Sequence, residues 1–210
     1  MRKKSKGYVL ATDADFSGTK DGEFVYIGSD DYVIIPHKIK GVTVTKTNRM
    51  FSNNASIVKG VATLEGHSIT DMTYMFLSSQ ATSLDLSGFD TSNVTAMDYM
   101  FYDSIVTTLD LSSFDTSNVT AMTNMFYYCQ ATTLDLSSFD TSKVTTMHSM
   151  FRTSNATTLD LSSFDTSNVT STNFMFANSW ATTGYARTQA DANKFNASSG
   201  KPSGLNFVVK

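Results

Sequence analysis

The chain has 210 residues, of which 17% are charged, and its formal net charge is −3. A single cysteine excludes a disulfide framework and a cysteine-based zinc site. Lysine and arginine are absent between residues 60 and 142, so there is no basic stripe of the kind that nucleic-acid phosphates require, and no nucleic-acid partner is expected.

A 25-residue repeat, which we call a rung, dominates the sequence and predicts one solenoid domain over residues 1–210. Leucine and phenylalanine recur at this period, at Leu84, Leu109, Leu134 and Leu159 and at Phe76, Phe101, Phe126, Phe151 and Phe176. The predicted segments are an N-terminal cap (1–25), degenerate rungs (26–75), regular rungs (76–182) and a C-terminal cap (183–210). The C-terminal cap begins where Gly184 replaces the expected leucine, and it is predicted to contain a helix over 188–195 and a strand over 205–209.

Each rung combines two periodicities. Leu84 and Leu86 alternate with polar residues, which predicts a short strand with both leucines on one face. Val94, Met97 and Phe101 follow at spacings of three and four residues, which predicts a short helix with one buried stripe. The sequence therefore predicts an α/β repeat solenoid with one parallel strand and one helical segment per rung, and with a cap at both ends.

The sequence predicts no enzyme, no metal site and no cofactor. Its three histidines lack metal-ligand spacing, and no nucleophile, phosphate-binding or dinucleotide motif occurs. One alternative stays open for a column of aspartates on the open face of the predicted sheet. These side chains either bond to neighbouring threonine hydroxyls or hold Ca²⁺, which prefers carboxylate oxygens. The column consists of Asp85, Asp110, Asp135 and Asp160, and a second set, interpreted as loop and cap residues, consists of Asp90, Asp115, Asp140 and Asp165.

Most positions barely change between rungs, but two groups of positions do, and these define what we call the variable stripe. In one rung they are residues 98–99 and 102–105, and stacking is expected to align the equivalent positions of all rungs. Aromatic residues and arginine, which anchor many interfaces, recur there, so the stripe is the predicted ligand-binding surface. The alternative interpretation is drift at solvated positions. The candidate ligand-binding residues are Tyr99, Tyr102, Asp103, Asn124, Tyr127, Tyr128, His148, Arg152, Asn155, Phe174, Asn178 and Trp180.

The segment LDLSSFDTSNVTAMTNMF, residues 109–126, resembles the signature of the BspA-like leucine-rich-repeat family of bacterial surface proteins. The resemblance is close over 76–176 and loose over 26–75. It implies a right-handed leucine-rich-repeat coil, and it brings no catalytic residues. The family's usual repeat is one residue longer and carries a cysteine that only Cys129 retains here, which leaves the loop geometry open.

The resemblance implies a non-enzymatic adhesion or receptor-binding module on a bacterial surface or a phage particle. A host or cell-surface protein or a glycan is the expected partner, and a purely structural spacer is the alternative. No signal peptide is predicted in this chain, because the apolar run after its basic N-terminus is short. Membrane insertion is not expected either, because no apolar stretch reaches spanning length.

Overall fold

Short strands pair in parallel from one turn of the chain to the next and build a parallel β-solenoid of about eight turns. The protein is described by a computed structural model over residues 7–18, 23–53 and 58–210. The strands, in chain order, are β1 (Val9–Leu10), β2 (Phe16–Gly18), β3 (Phe24–Tyr26), β4 (Tyr32–Ile35), β5 (Lys38–Ile39), β6 (Val42–Thr43), β7 (Gly60–Thr63), β8 (Ser83–Leu84), β9 (Thr108–Asp110), β10 (Thr133–Asp135), β11 (Thr158–Leu161), β12 (Thr183–Ala186) and β13 (Asn206–Val209). In the described part of the chain the one α-helix is α1 (Gln189–Asn196).

Sheet pairing follows the repeat. Leu84 faces Leu109 between β8 and β9, and Leu109 faces Leu134 between β9 and β10, one rung apart each time. Near the N-terminus, β4 lies between β1 and β7 in a three-stranded parallel sheet, and β2 and β3 form an antiparallel pair. The predicted N-terminal cap and second degenerate rung include residues 1–6, 19–22 and 54–57, which lie outside the described residues.

A column of threonines connects the rungs outside the strands. In each successive rung the threonine N–H and its hydroxyl both donate to the carbonyl of the threonine one rung earlier, at 2.8–3.0 Å and 3.0–3.3 Å respectively. The column consists of Thr45, Thr70, Thr95, Thr120, Thr145 and Thr170. These paired bonds satisfy backbone groups that a short strand leaves open, so residues that are polar in sequence hold the rungs together.

The predicted helical segment of each rung is wrong, because the described rungs form consecutive turns there instead. Within residues 97–104, three N–H groups bond to the carbonyl three residues back, at 3.2–3.4 Å. The Tyr99 N–H instead donates to the Thr123 carbonyl of the next rung at 2.9 Å, and φ is positive at Tyr99 (58°) and Asp103 (54°). A helix uses its N–H groups within itself, whereas this backbone directs alternate N–H groups along the solenoid axis.

Leucine and phenylalanine ladders fill the interior, as the sequence predicts, with one exception. Phe101, Phe126 and Phe151 are fully buried, and their rings stack at centroid distances of 5.7 and 5.4 Å. Leu134 is only half-buried, although a buried position was expected from its register. The reason is a break in the sheet, because β10 pairs with β9 and β11 pairs with β12, without a ladder between β10 and β11.

The sequence predicts the helix and the last strand of the C-terminal segment, and both are present. Helix α1 begins after Thr188, whose hydroxyl accepts the Asp191 N–H, and β13 pairs in parallel with β12. Gly184 makes room for this arrangement, because a Cβ there would lie 2.6 Å from ring carbons of Phe207. The Lys194 ammonium donates to two backbone carbonyls of the last regular rung. Open backbone groups of the end rung are thereby satisfied.

Candidate functional site

The backbone of the variable stripe presents two columns of residues in the left-handed conformation. One column runs through positions 49, 74, 99, 124, 149 and 174, and the other through 53, 78, 103, 128, 153 and 178, with φ between 48° and 60°. Asparagine, aspartate and glycine adopt this conformation most readily, whereas a bulky side chain in it costs roughly 1–2 kcal/mol. Aromatic residues nevertheless occupy four of these positions, at Tyr74, Tyr99, Tyr128 and Phe174.

Aromatic and cationic side chains of the stripe contact one another across several rungs. Tyr74 stacks on Tyr99 with ring centroids 4.7 Å apart. Tyr102 stacks on Tyr127 at 4.8 Å, and the guanidinium carbon of Arg152 lies 5.4 Å from the centre of the Tyr127 ring. Tyr99 and Tyr102 join the two stacks at 5.8 Å. Side chains that are far apart in sequence therefore form one continuous ribbon along the solenoid.

The ribbon continues toward the C-terminal end of the solenoid through Phe174. The Arg152 guanidinium carbon lies 5.6 Å from the centre of this ring, and His148 meets the same ring edge-on at 6.0 Å. At the opposite end, the guanidinium of Arg49 lies 4.5 Å from the ring centre of Tyr74. Tyr74 and Arg49 were not among the predicted stripe residues, although they occupy the positions one and two rungs before Tyr99.

The predicted site residues differ in exposure. Trp180 is 70% exposed, Tyr128 45% and Phe174 43%, so these three are the most exposed rings among the predicted site residues. Asn124 is buried at 8% exposure, which excludes this predicted residue from ligand contact in the described conformation. The exposed polar candidates are Asp103 and Asn178, and the half-buried ones are Tyr99, Tyr102, Tyr127, His148, Arg152 and Asn155.

Polar contacts within the stripe also run from rung to rung. The Asn155 side-chain amide donates to Oε1 of Gln130 at 2.6 Å, and the Ser78 hydroxyl donates to Asp103 at 3.2 Å. Burial and the neighbouring Tyr127 raise the pKa of Tyr102, so its hydroxyl stays protonated and can donate a hydrogen bond at neutral pH. The stripe thus presents ring edges, hydroxyls, amides and the guanidinium groups of Arg49 and Arg152.

The aspartate column on the sheet face has different partners from those predicted. Each carboxylate accepts bonds from the N–H and hydroxyl of the serine two residues further on, as Asp110 does from Ser112 at 3.0 and 2.6 Å. The second aspartate set accepts the N–H two residues on, as Asp115 does from Ser117 at 3.0 Å. These are local turn bonds. Within the described residues there is no group of three or more histidine, cysteine or acidic side chains suited to a metal ion.

His37 and His67 form a pair that their spacing in the sequence did not predict. His37 and His67 lie one turn apart in the degenerate part of the solenoid, and their rings stack with centroids 4.6 Å apart. His67 is buried and its Nε2 lies 3.1 Å from the Ile35 carbonyl oxygen. Burial, together with the neighbouring His37, lowers the pKa of His67. The pair packs the solenoid, and it lies on a different part of the chain from the variable stripe.

Comparison with known proteins identifies a family for this chain. A family described as "Mycoplasma protein of unknown function, DUF285" matches residues 37–131 and again residues 104–201. The chain belongs to this DUF285 family. The two matches overlap and together extend from the degenerate rungs into the C-terminal segment, so DUF285 similarity follows the repeat itself.

Apart from the DUF285 family, no similar protein was found. No curated protein and no solved structure matches the chain. A search of the described residues finds no helix that is long and apolar enough to cross a membrane.

Proposed function

We propose that this DUF285 protein is a non-enzymatic binding module that attaches to a host or cell-surface protein or glycan through the variable stripe. The observation that carries the proposal is the presence of Tyr99, Tyr128 and Phe174 in the left-handed conformation. Equivalent positions in other rungs hold Asn124, which suits this conformation without strain. Backbone geometry therefore does not account for the aromatic residues, whereas an exposed binding surface does.

We further propose that the chain is related to the BspA-like surface proteins and that it acts at the cell surface or outside the cell. The BspA-like resemblance, residues 109–126 above all, supports a relationship to bacterial surface leucine-rich-repeat proteins and a role in adhesion. The corresponding location is the cell surface or the extracellular space, on a bacterium or a phage particle. A rigid rod with one variable side suits attachment, because adding rungs lengthens the surface without altering the interior.

A structural spacer is the second candidate, and one observation favours it. Tyr74 and Tyr99 cover each other's faces, as do Tyr102 and Tyr127, so part of the aromatic content contributes to packing between rungs. A spacer would need these stacks only. It would not need the exposed rings of Trp180 and Tyr128.

The test replaces the exposed rings with residues that the chain itself uses at equivalent positions. The variant combines three substitutions. Phe174→Ser introduces the residue found at Ser149, Trp180→Gln introduces the residue found at Gln130, and Tyr128→Ser removes the third exposed ring. We expect its thermal midpoint to stay within a few degrees of the original, because surface substitutions usually change stability by about 0.5 kcal/mol or less each. Attachment to mucin, matrix protein or epithelial cells, measured by surface binding of purified protein, should fall more than about tenfold, since aromatic anchors carry much of an interface's energy.

The control is Val208→Thr, which removes an exposed apolar side chain from the last strand and leaves the stripe intact. Equal attachment by the triple variant and the original chain would favour the spacer. So would original protein that binds every target no better than an albumin-coated surface.

A further inference from the structure

The C-terminal half of the variable stripe carries positive charge and lacks acidic residues. Residues 123–130, 148–155 and 173–180 contain neither aspartate nor glutamate, although the chain as a whole is acidic. Arg152 lies in the middle one of these three segments, and His148 precedes it by four residues. An anionic ligand therefore meets no repulsive side chain in these segments of the stripe.

Arg152 is held by two rings and lacks an anionic partner. Its guanidinium carbon lies 5.4 Å from the ring centre of Tyr127 and 5.6 Å from that of Phe174, distances at which a cation is attracted to an aromatic ring. In the described part of the chain no carboxylate forms an ion pair with it. Its Nε is buried without a hydrogen-bond partner, whereas the two terminal nitrogens are neither buried nor bonded. The terminal N–H groups are thus free to donate.

This arrangement suits anions that present two acceptor oxygens side by side. A guanidinium donates two parallel hydrogen bonds to a carboxylate or a sulfate, with a geometry that lysine lacks. Immobilising a flexible arginine side chain usually opposes binding by up to about 2 kcal/mol. Tyr127 and Phe174 already restrict Arg152 in the free protein, so less of this entropy is lost when an anion binds.

Two residues with exposed rings are bonded through their backbones to the rung of Arg152, one from the preceding rung and one from the following rung. The Tyr128 N–H donates to the Arg152 carbonyl at 3.0 Å, and the Trp180 N–H donates to the carbonyl of Ser154 at 3.0 Å, two residues further along the same rung. Tyr128 is 45% and Trp180 70% exposed. The negative face of an aromatic ring attracts the polarised C–H groups of a sugar ring. The stacked pair Tyr102 and Tyr127, by contrast, offers mainly edges.

From these observations we infer that Arg152, Tyr128 and Trp180 form a subsite for an acidic glycan, with the carboxylate or sulfate on Arg152 and a sugar ring against an exposed aromatic face. The inference rests on the proposed binding function and specifies its ligand class. An acidic peptide presents the same anionic group, but it has no need of the exposed aromatic rings in the adjoining rungs.

The experiment compares matched saccharides by titration calorimetry with the whole chain. The carboxylate arm is sialyllactose against lactose, the sulfate arm is sulfated lactose against lactose, and the peptide arm is a short polyglutamate. We expect one anionic saccharide to bind at least about tenfold more tightly than its matched partner, since a charge-assisted bidentate pair is worth more than about 1.4 kcal/mol. Polyglutamate should bind more weakly than that saccharide.

Three variants identify the residues responsible. Arg152→Gln should abolish the preference for the anionic saccharide, and Arg152→Lys should lose most of it because the forked geometry is absent. Trp180→Gln, a substitution at an exposed site, should weaken the anionic and the neutral saccharide alike. Lys143→Gln removes the same charge from an exposed position outside the stripe and should leave binding unchanged. Thermal midpoints of all variants confirm that each is folded.

Several results would overturn the subsite. They are equal binding of anionic and neutral saccharides, no binding of either anionic saccharide at millimolar concentration, full binding by folded Arg152→Gln, an equal loss in Lys143→Gln, and tightest binding of polyglutamate. The proposed binding function is tested separately. If the triple variant at Tyr128, Phe174 and Trp180 loses attachment while Arg152→Gln attaches normally, the acidic-glycan subsite fails and the binding module stands.

Discussion

Asp191 is the residue on which we expect attachment of the C-terminal cap to depend. Its carboxylate is 2% exposed and accepts the Thr166 N–H at 3.0 Å, the Thr166 hydroxyl at 2.6 Å and the Thr188 hydroxyl at 2.6 Å. In an inner rung the equivalent threonine, Thr141, donates its hydroxyl to the backbone carbonyl of the next rung. At the end of the solenoid, the Asp191 carboxylate therefore takes the place of the backbone groups that the next rung supplies to an inner threonine.

The magnitude follows from the groups that each substitution leaves unsatisfied. Asp191→Ala leaves the N–H and the hydroxyl of Thr166 buried without an acceptor. Each unsatisfied buried group costs about 1–3 kcal/mol. We therefore expect the free energy of unfolding at pH 7 to fall by about 2–6 kcal/mol, the combined range for these two groups. Asp191→Asn keeps one acceptor oxygen and the volume, and should cost about 2 kcal/mol through the lost charge.

The effect should depend on pH. Burial alone would raise the pKa of Asp191, but the hydrogen bonds from Thr166 and Thr188 outweigh it and lower the pKa to about 2, against 3.8 for an ordinary aspartate. A lowered pKa in the folded state stabilises the protein above the unfolded pKa, and this stability is lost as the pH falls toward the folded value. The shift corresponds to about 2.5 kcal/mol at pH 7, of which about half is lost at pH 3.

Urea unfolding at pH 7 and pH 3 measures these differences, with the exposed Asp135→Asn as the control for removal of a carboxylate. The stability gap between the original chain and Asp191→Asn should narrow by about 1 kcal/mol on acidification. A loss below about 1 kcal/mol in Asp191→Ala at pH 7, or a gap that does not change with pH, would refute the reasoning.

Three further predictions concern the interior. Leu134→Ala should lower the free energy of unfolding by about 1–2 kcal/mol and Leu109→Ala by about 2–5 kcal/mol, because only Leu109 is fully buried; equal losses in urea melts would contradict the break in the sheet. Thr116→Val should cost about 1–3 kcal/mol, because its buried hydroxyl both donates to and accepts from the Asp140 backbone; circular dichroism melts would show this loss, and an unchanged melt would contradict it. Burial raises the pKa of the Cys129 thiol to about 12, so a thiol reagent at pH 8 should label it only at the rate of unfolding, and immediate labelling of folded protein would place the residue elsewhere.

The repeat period made much of the fold predictable, because identical spacing of large apolar residues leaves few ways to bury them. The buried Phe101 and Phe126 ladder follows directly from the pattern. The helical segment failed for a physical reason. Spacings of three and four residues also arise from consecutive turns, and residues such as Thr95 and Tyr99, which are weak helix formers, bond to neighbouring rungs instead.

The break in the sheet could not have been predicted from local sequence. Residues 131–140 and 156–165 are identical, yet Leu134 is half-buried whereas Leu159 is 1% exposed. The difference comes from their neighbours, because β11 pairs with the cap strand β12 and Lys210 forms an ion pair with Asp160. An open concavity of about 420 Å³ lies over this break.

The candidate site was partly predictable, because variation between rungs identifies positions that the interior does not use. Variation between rungs does not show how deeply a side chain is buried. Asn124 and Tyr99 occupy the same column, but the asparagine is buried and the tyrosine contributes to the surface. Whether a side chain reaches solvent depends on the size of its neighbours in the adjoining rungs, which requires the stacked structure.

The bonds that hold the rungs together are separate from the exposed side chains of the variable stripe. Rungs are held together by backbone bonds and by threonine hydroxyls such as that of Thr95, and none of these involves an exposed stripe side chain. The left-handed positions accept Tyr99, Ser149 and Phe174 with the same backbone angle, within 52–58°. We therefore expect exchange of exposed stripe residues between rungs to change the surface without altering the interior, so the same solenoid can present different chemistry along its length without a new core.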